Sequence, residues 1–160
     1  MITFKTVCIS TLFLLFIDVS VCIAQDIQDK ICGEWITAER NLVVRVFRKA
    51  GDFKAKIIWF KNDGSKPDII DFKDESNPNP NLRGRKILGM DIVEGLVFKP
   101  ETKSWEKGKI YDPYHGRFWD SSASLTADGK LKVTGYWKFK WIGKTLTFDR
   151  LEKTEMVGKI

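Results

Sequence analysis

Histidine occurs once in the 160 residues, at His115, and cysteine three times, at Cys8, Cys22 and Cys32. One imidazole and so few thiols exclude a zinc site of the usual nitrogen and sulfur type. Two of the cysteines lie in an apolar N-terminal segment. Without them Cys32 stands alone, and no internal disulfide can form. Between Ile31 and Gly33 it has no neighbouring base to make it a nucleophile, and it reads as a small buried residue. Helical periodicity is also missing: no stretch of useful length repeats its apolar residues at the spacing of a helix. There is no glycine-rich phosphate loop, no spacing of nucleophile, base and orienting group, and no basic run.

An apolar run is present only near the start. Residues 1–24 carry Lys5, then "VCISTLFLLFI", then smaller side chains. Asp18 interrupts the run, which is too short for a membrane span. Cys22 and Ala24 stand where a signal peptidase requires small residues, so the sequence predicts cleavage before Gln25. The expectation is an exported protein, periplasmic or secreted, with one domain over 25–160 and no stable membrane insertion after the signal is removed. Cleavage removes one cation, Lys5, and one anion, Asp18, so the net charge stays at +6. That charge raises the question of nucleic acid. The lysines, however, alternate with apolar residues along the whole chain, as on the wet faces of strands, and no nucleic-acid partner is expected. A weak attraction to anionic surfaces remains open.

From Gly33 onward the apolar period is two. "GEWITAE" and "NLVVRVFR" read as strands around a tight connection at Glu39-Arg40-Asn41. "KAGD" is a hairpin turn in which Gly51 supplies the positive φ. "FKAKIIWF" places Phe53, Ala55, Ile57 and Trp59 on one face. "NDGSKP" breaks the pattern, and a polar loop runs to "NPNPNLRGR". Strands resume at "ILGMDIVEGLVFK", where Glu94-Gly95 suits a bulge. "WEKGKIYD", "RFWDSSASLT", "KLKVTGYWKFK" and "KTLTFDRLE" follow, giving eight strands in all. Eight antiparallel strands joined mostly by short turns predict an all-β, up-and-down barrel, with a short helical turn before it at "DIQDKI". A sandwich is the alternative.

"KIYDPYHGRFWD" gathers two acids, two tyrosines, an arginine and the single histidine. Asp112, Pro113 and Gly116 carry turn chemistry, and His115 beside Gly116 falls at the tip. A catalytic histidine is normally held by a second group, which a turn tip supplies poorly. The segment therefore reads as a hairpin rather than an active site.

The order Gly33-x-Trp35, "NPNPNLRGRKILGMDIV", "SWEKGKIYDPYHGRFW" and "GKLKVTGYWKFKWIGKTLTFDR" resembles the bacterial family known as domain of unknown function 2147. The strongest element runs from Trp105 to Gly116, and the likeness extends from Ile31 to Leu151. The resemblance implies a small exported protein with a calycin barrel, similar to lipocalins and fatty-acid-binding proteins. This chain has Lys86 where the family commonly has proline, and Trp119 where tyrosine is common. Calycins also pair a tryptophan of the first strand's Gly-x-Trp with an arginine near the end of the last. Gly33, Trp35 and Arg150 occupy those places, where a guanidinium stacked on an indole would cover one end of the core.

An eight-stranded barrel is either filled or able to hold one small ligand. Phe53, Ile57, Trp59, Trp119 and Val133 are the expected ligand-binding lining, with Leu131 and Ala123 beside them. Asp91, between Met90 and Ile92, faces either solvent or the interior. In the second case it needs a partner, and Arg45 is a candidate, although Val44 and Val46 suggest that it points outward. No cofactor, metal or catalytic residue is expected. Three functions stay open: an exported carrier of a hydrophobic small molecule, an interaction protein with a filled barrel that acts through its surface and the long loop from Asp63 to Lys86, and, least favoured, an enzyme using Asp91, Asp112 or His115.

Overall fold

A computed structural model describes residues 27–66 and 68–152. The expected signal segment, 1–24, lies outside the described residues. Ile27–Asp29 form a short helical turn within a unit that spans Met1–Lys30. The second unit, from Ile31 on, contains the strands.

These are β1 (Gly33–Thr37), β2 (Leu42–Lys49), β3 (Asp52–Phe60), β4 (Asp91–Lys99), β5 (Ser104–Asp112), β6 (Arg117–Leu125), β7 (Leu131–Tyr136) and β8 (Lys144–Arg150). Each pairs antiparallel with the next, and β8 returns to β1 through Trp35 opposite Arg150, closing the barrel. Closure follows from the sequence pattern. Every strand has an apolar inner row, and a closed sheet leaves no edge unpaired.

One end of the barrel carries the hairpins β2–β3, β4–β5 and β6–β7 and is packed solid. Trp35, Phe53, Trp105 and Leu131 are each at most 2% exposed. Phe53 meets Trp105 edge to face, with centroids 6.2 Å apart. The Arg150 guanidinium lies 4.3 Å from the centroid of the Trp35 ring, and its Nη1 donates to the Cys32 carbonyl at 3.1 Å. Trp35 Nε1 donates to the Ile31 carbonyl at 2.8 Å. Gly33 has φ +136, and a Cβ there would stand 2.5 Å from Arg150 Nη1, so the Gly-x-Trp glycine makes room for the arginine. Cys32 is half-buried and forms no disulfide.

Bulges reset the inward pattern. Between Phe53–Ala55 and Leu96–Val93 the register gains a residue on β4, at Glu94-Gly95, where Gly95 has φ +72. A second irregularity sets Val44 opposite Ile57 but its neighbour Val43 opposite Trp59. The extra residue, Ile58, turns Trp59 to the outer face and brings Phe60 inward against the core. Trp59 therefore does not line the interior as its place in the alternation suggests. Several strands are also shorter than their sequence patterns. β1 ends at Thr37, β4 begins only at Asp91, and β7 ends at Tyr136, leaving "WKFKWIG" as a connection.

Candidate functional site

The other end of the barrel carries the β1–β2 turn, the long β3–β4 loop, the β5–β6 turn and the β7–β8 connection. Inward positions lose burial stepwise toward it along β5 to β8. Along β5, Trp105 and Gly108 are buried and Ile110 is half-buried. Along β6, Ala123 and Ser121 are buried and Trp119 is half-buried. Along β7, Leu131 is buried while Val133 and Gly135 are half-buried, and along β8 Phe148 gives way to half-buried Leu146. These residues share one face by register, since Ile110 opposes Trp119, Ser121 opposes Gly135 and Val133 opposes Leu146. On β2 and β3 the inner row stays buried through Val46, Val44, Phe53, Ala55 and Ile57, and only its last pair toward this end, Leu42 and Phe60, is half-buried. Inner positions thus lose burial toward this end on both sides, over a longer stretch on β5 to β8.

At that end Arg117, Phe118, Trp119 and Trp137 line a concave site of about 460 Å³. Trp119 and Trp137 meet edge to face at 6.0 Å. Deeper on β6, Ser121 is fully buried, and its Oγ has no hydrogen-bond partner among the described residues. Glycine flanks it on both neighbouring strands, Gly108 on β5 and Gly135 on β7. A Cβ at Gly108 would lie 2.6 Å from both the Leu96 side chain and Ser121 Oγ. The Ser121 hydroxyl is thus packed beside Gly108 and Leu96, below the residues that line the concave site.

The residues expected from the sequence divide in three. Trp119 and Val133 belong to the half-buried inner rows of β5 to β8. Phe53 and Ile57 face inward but are core, each packed in the buried cluster. Trp59 and Asp91 are outside. Asp91 is exposed, opposite Lys56 on the outer face, beside a shallow surface formed by Arg85, Lys86, Leu88, Gly89 and Met90. Arg45 also faces out, donating from Nη2 to Glu34 at 2.6 Å. Ile110, Leu146, Trp137, Arg117 and Ser121 escape a reading by strand. Counting the inner row of β5 and β6 from Trp105 and Ala123 would have found the first and last of these, once the bulge marked by Lys107 at φ +65 was allowed for.

The β5–β6 turn is more than a hairpin tip. Asp112 Oδ1 accepts from the Tyr114 and His115 amides at 3.0 and 3.4 Å, and Oδ2 lies 2.7 Å from His115 Nδ1. His115 does have an orienting carboxylate, contrary to the expectation from its position. It is nevertheless 71% exposed at its side chain, in a setting that leaves the ring in water. Gly116, at φ +61, presses against the long loop: a Cβ there would fall 1.9 Å from the Ser76 carbonyl oxygen.

That loop is pinned by a buried polar network. Asp74 is 0% exposed. Its Oδ1 accepts from Tyr111 Oη at 2.7 Å, and its Oδ2 from Asn77 Nδ2 and Arg85 Nη2, each at 2.7 Å. Asn77 Nδ2 also donates to Tyr111 Oη at 2.9 Å. Burial, with the Asp74 carboxylate beside it, pushes the Tyr111 phenol up to about 12. The carboxylate is satisfied on both oxygens, so this cluster holds the loop on the barrel and has no free acceptor for chemistry.

Comparison with known proteins agrees with this architecture. Residues 33–150 match the family described as "Uncharacterized protein conserved in bacteria (DUF2147)". The chain is 32% identical to protein HP1028 of Helicobacter pylori, whose structure is described as belonging to the lipocalin family. The match covers 79% of this chain and 86% of that one, with a TM-score of 0.66. No curated protein matches. The chain belongs to the bacterial DUF2147 family, and its closed eight-stranded barrel is lipocalin-like.

Proposed function

We propose that the protein is an exported carrier that binds an apolar small molecule at the β5–β8 side of its barrel. The observation that carries this reading is the stepwise loss of burial along the inner rows of β5 to β8 beneath the concave site of about 460 Å³. That volume lies within the range of ligand pockets, roughly 300–1,000 Å³. Trp119, Trp137 and Phe118 line the concave site and offer aromatic surface to an apolar body, and Ile110, Val133 and Leu146 share the inner face of Trp119 by register. Arg117 at the rim suits an anionic or polar head group left in water. Export rests on the N-terminal pattern of Lys5, the apolar run and Ala24.

The test is to purify the protein from cells that export it, extract it with organic solvent and identify the extracted molecules by mass spectrometry. The proposal expects a stoichiometric apolar compound that a Val133→Trp variant fails to retain. Equal recovery from that variant would contradict it. Export is checked on the same sample, because the mature N-terminus should be Gln25.

A further inference from the structure

The connection from β7 to β8 alternates aromatic and cationic residues, Trp137-Lys138-Phe139-Lys140-Trp141-Ile142-Gly143-Lys144. Its apolar members are turned to water. Trp137 is 63% exposed, Phe139 55%, Trp141 80% and Ile142 61%. Phe139 and Trp141 stack on each other with centroids 5.9 Å apart, so they stand out as one body instead of folding onto the barrel. Exposing this much aromatic surface in one short segment costs solubility, and such patches mark interaction sites. Trp137 also lines the concave site, so the patch is continuous with the ligand entrance.

We infer that this segment docks the barrel mouth onto a lipid bilayer that contains anionic lipid. The charge pattern selects that occupant. Lys138, Lys144 and Arg117 form no ion pair among the described residues, and only Lys140 is engaged, by Glu106. Indole rings prefer the level of the lipid head groups, where the apolar face is buried and the N–H stays hydrated. Lysines between them keep their ammonium groups among phosphates while their stems lie along the apolar boundary. Anionic lipid attracts such cations over a Debye length and adds to the apolar insertion. Docking in this way would hold the opening against the layer from which an apolar ligand is taken or to which it is given. The inference does not depend on what the interior holds.

The experiment uses vesicles of phosphatidylcholine with and without phosphatidylglycerol, both carrying bromine on the acyl chains to quench inserted indoles. The unaltered chain should show tryptophan quenching with phosphatidylglycerol, weakened by added salt. Replacing Trp137 and Trp141 by phenylalanine should cut the quenching to the share left by Trp119 at the rim while leaving sedimentation with vesicles intact. This reading is independent of the N-terminal segment, which all variants share. Replacing the same pair by serine should lower the loop-dependent partitioning by about tenfold or more. Three results would overturn the inference. One is quenching undiminished by the phenylalanine pair. Another is equal quenching on pure phosphatidylcholine. The third is no quenching together with a Trp141-dependent dimer in the ultracentrifuge, which would make a second copy of the chain the occupant.

Discussion

Replacing Gly116 by alanine separates two costs that glycine usually conceals together. Gly129, in the β6–β7 turn, provides the reference. Both glycines have positive φ, +61 and +80, but a Cβ at Gly129 meets nothing within 4 Å. Alanine at Gly129 therefore incurs only the left-handed backbone penalty, about 1–2 kcal/mol. At Gly116 the same penalty applies, and the new methyl would in addition sit 1.9 Å from the Ser76 carbonyl oxygen. Ordinary contact needs well over 3 Å, roughly. A backbone carbonyl cannot rotate aside like a side chain, so the Ser76–Pro78 segment must lift from the barrel. That segment includes Asn77, and lifting it strains the cluster of Asp74, Tyr111 and Arg85. Breaking a buried charge network of this kind costs about 3–5 kcal/mol. Gly116→Ala should therefore lower stability by about 4 kcal/mol or more in urea unfolding, against about 1–2 for Gly129→Ala. Hydrogen exchange locates the damage: the Asp74 amide, bonded to the Arg85 carbonyl at 2.9 Å, should lose protection in the first variant only. If the two variants unfold within about 0.5 kcal/mol of each other, the docking of this turn on the long loop is refuted.

Trp35→Ala should destabilise by about 3–5 kcal/mol, the usual range for a buried large aromatic, and a calorimetric loss under 1 would show that the indole is not core. Tyr111 stays protonated in the folded protein up to about 12, above its ordinary value of about 10. The stability this gives is complete below about pH 10 and is lost as pH rises toward 12, so Tyr111→Phe should flatten the alkaline limb of a stability–pH curve. A curve that falls equally in both proteins would contradict the Asp74 network. His115→Ala should leave urea unfolding and ligand affinity unchanged, because the ring is exposed and only Asp112 holds it. A large loss of function in that folded variant would point to catalysis at the turn.

Much of the barrel is legible in the sequence because alternation, turn glycines and the Gly33-Trp35…Arg150 pairing are all local or positional signals. Glu94-Gly95 announces its own bulge. Ile58 does not: neither glycine nor proline marks it, and its effect is to move Trp59 to the outer face and Phe60 inward. A strict alternation therefore misassigns both residues. "GYWKFK" reads as a strand because its aromatics alternate with lysines, yet Lys138 at φ +65 breaks the ladder after Tyr136. The long loop looks like solvent-exposed polar chain in sequence. Its anchor, Asp74, finds Tyr111 37 positions away, a distance over which no spacing rule operates. Ser121, between Asp120 and Ser122, shows no pattern of its own, and only counting back by two from Ala123 places it on the inner row.

The central claim, that the β5–β8 side of the barrel holds an apolar ligand, is tested most directly by titrating the protein with a fluorescent long-chain fatty acid and displacing it with an unlabelled one. Saturable binding is expected. Trp119→Ala, at the rim, should weaken it by about 1–3 kcal/mol, the scale of one buried side-chain contact, while Trp59→Ala, on the outer face, should leave it unchanged. Non-saturable uptake, or equal losses from the two tryptophans, would contradict the account.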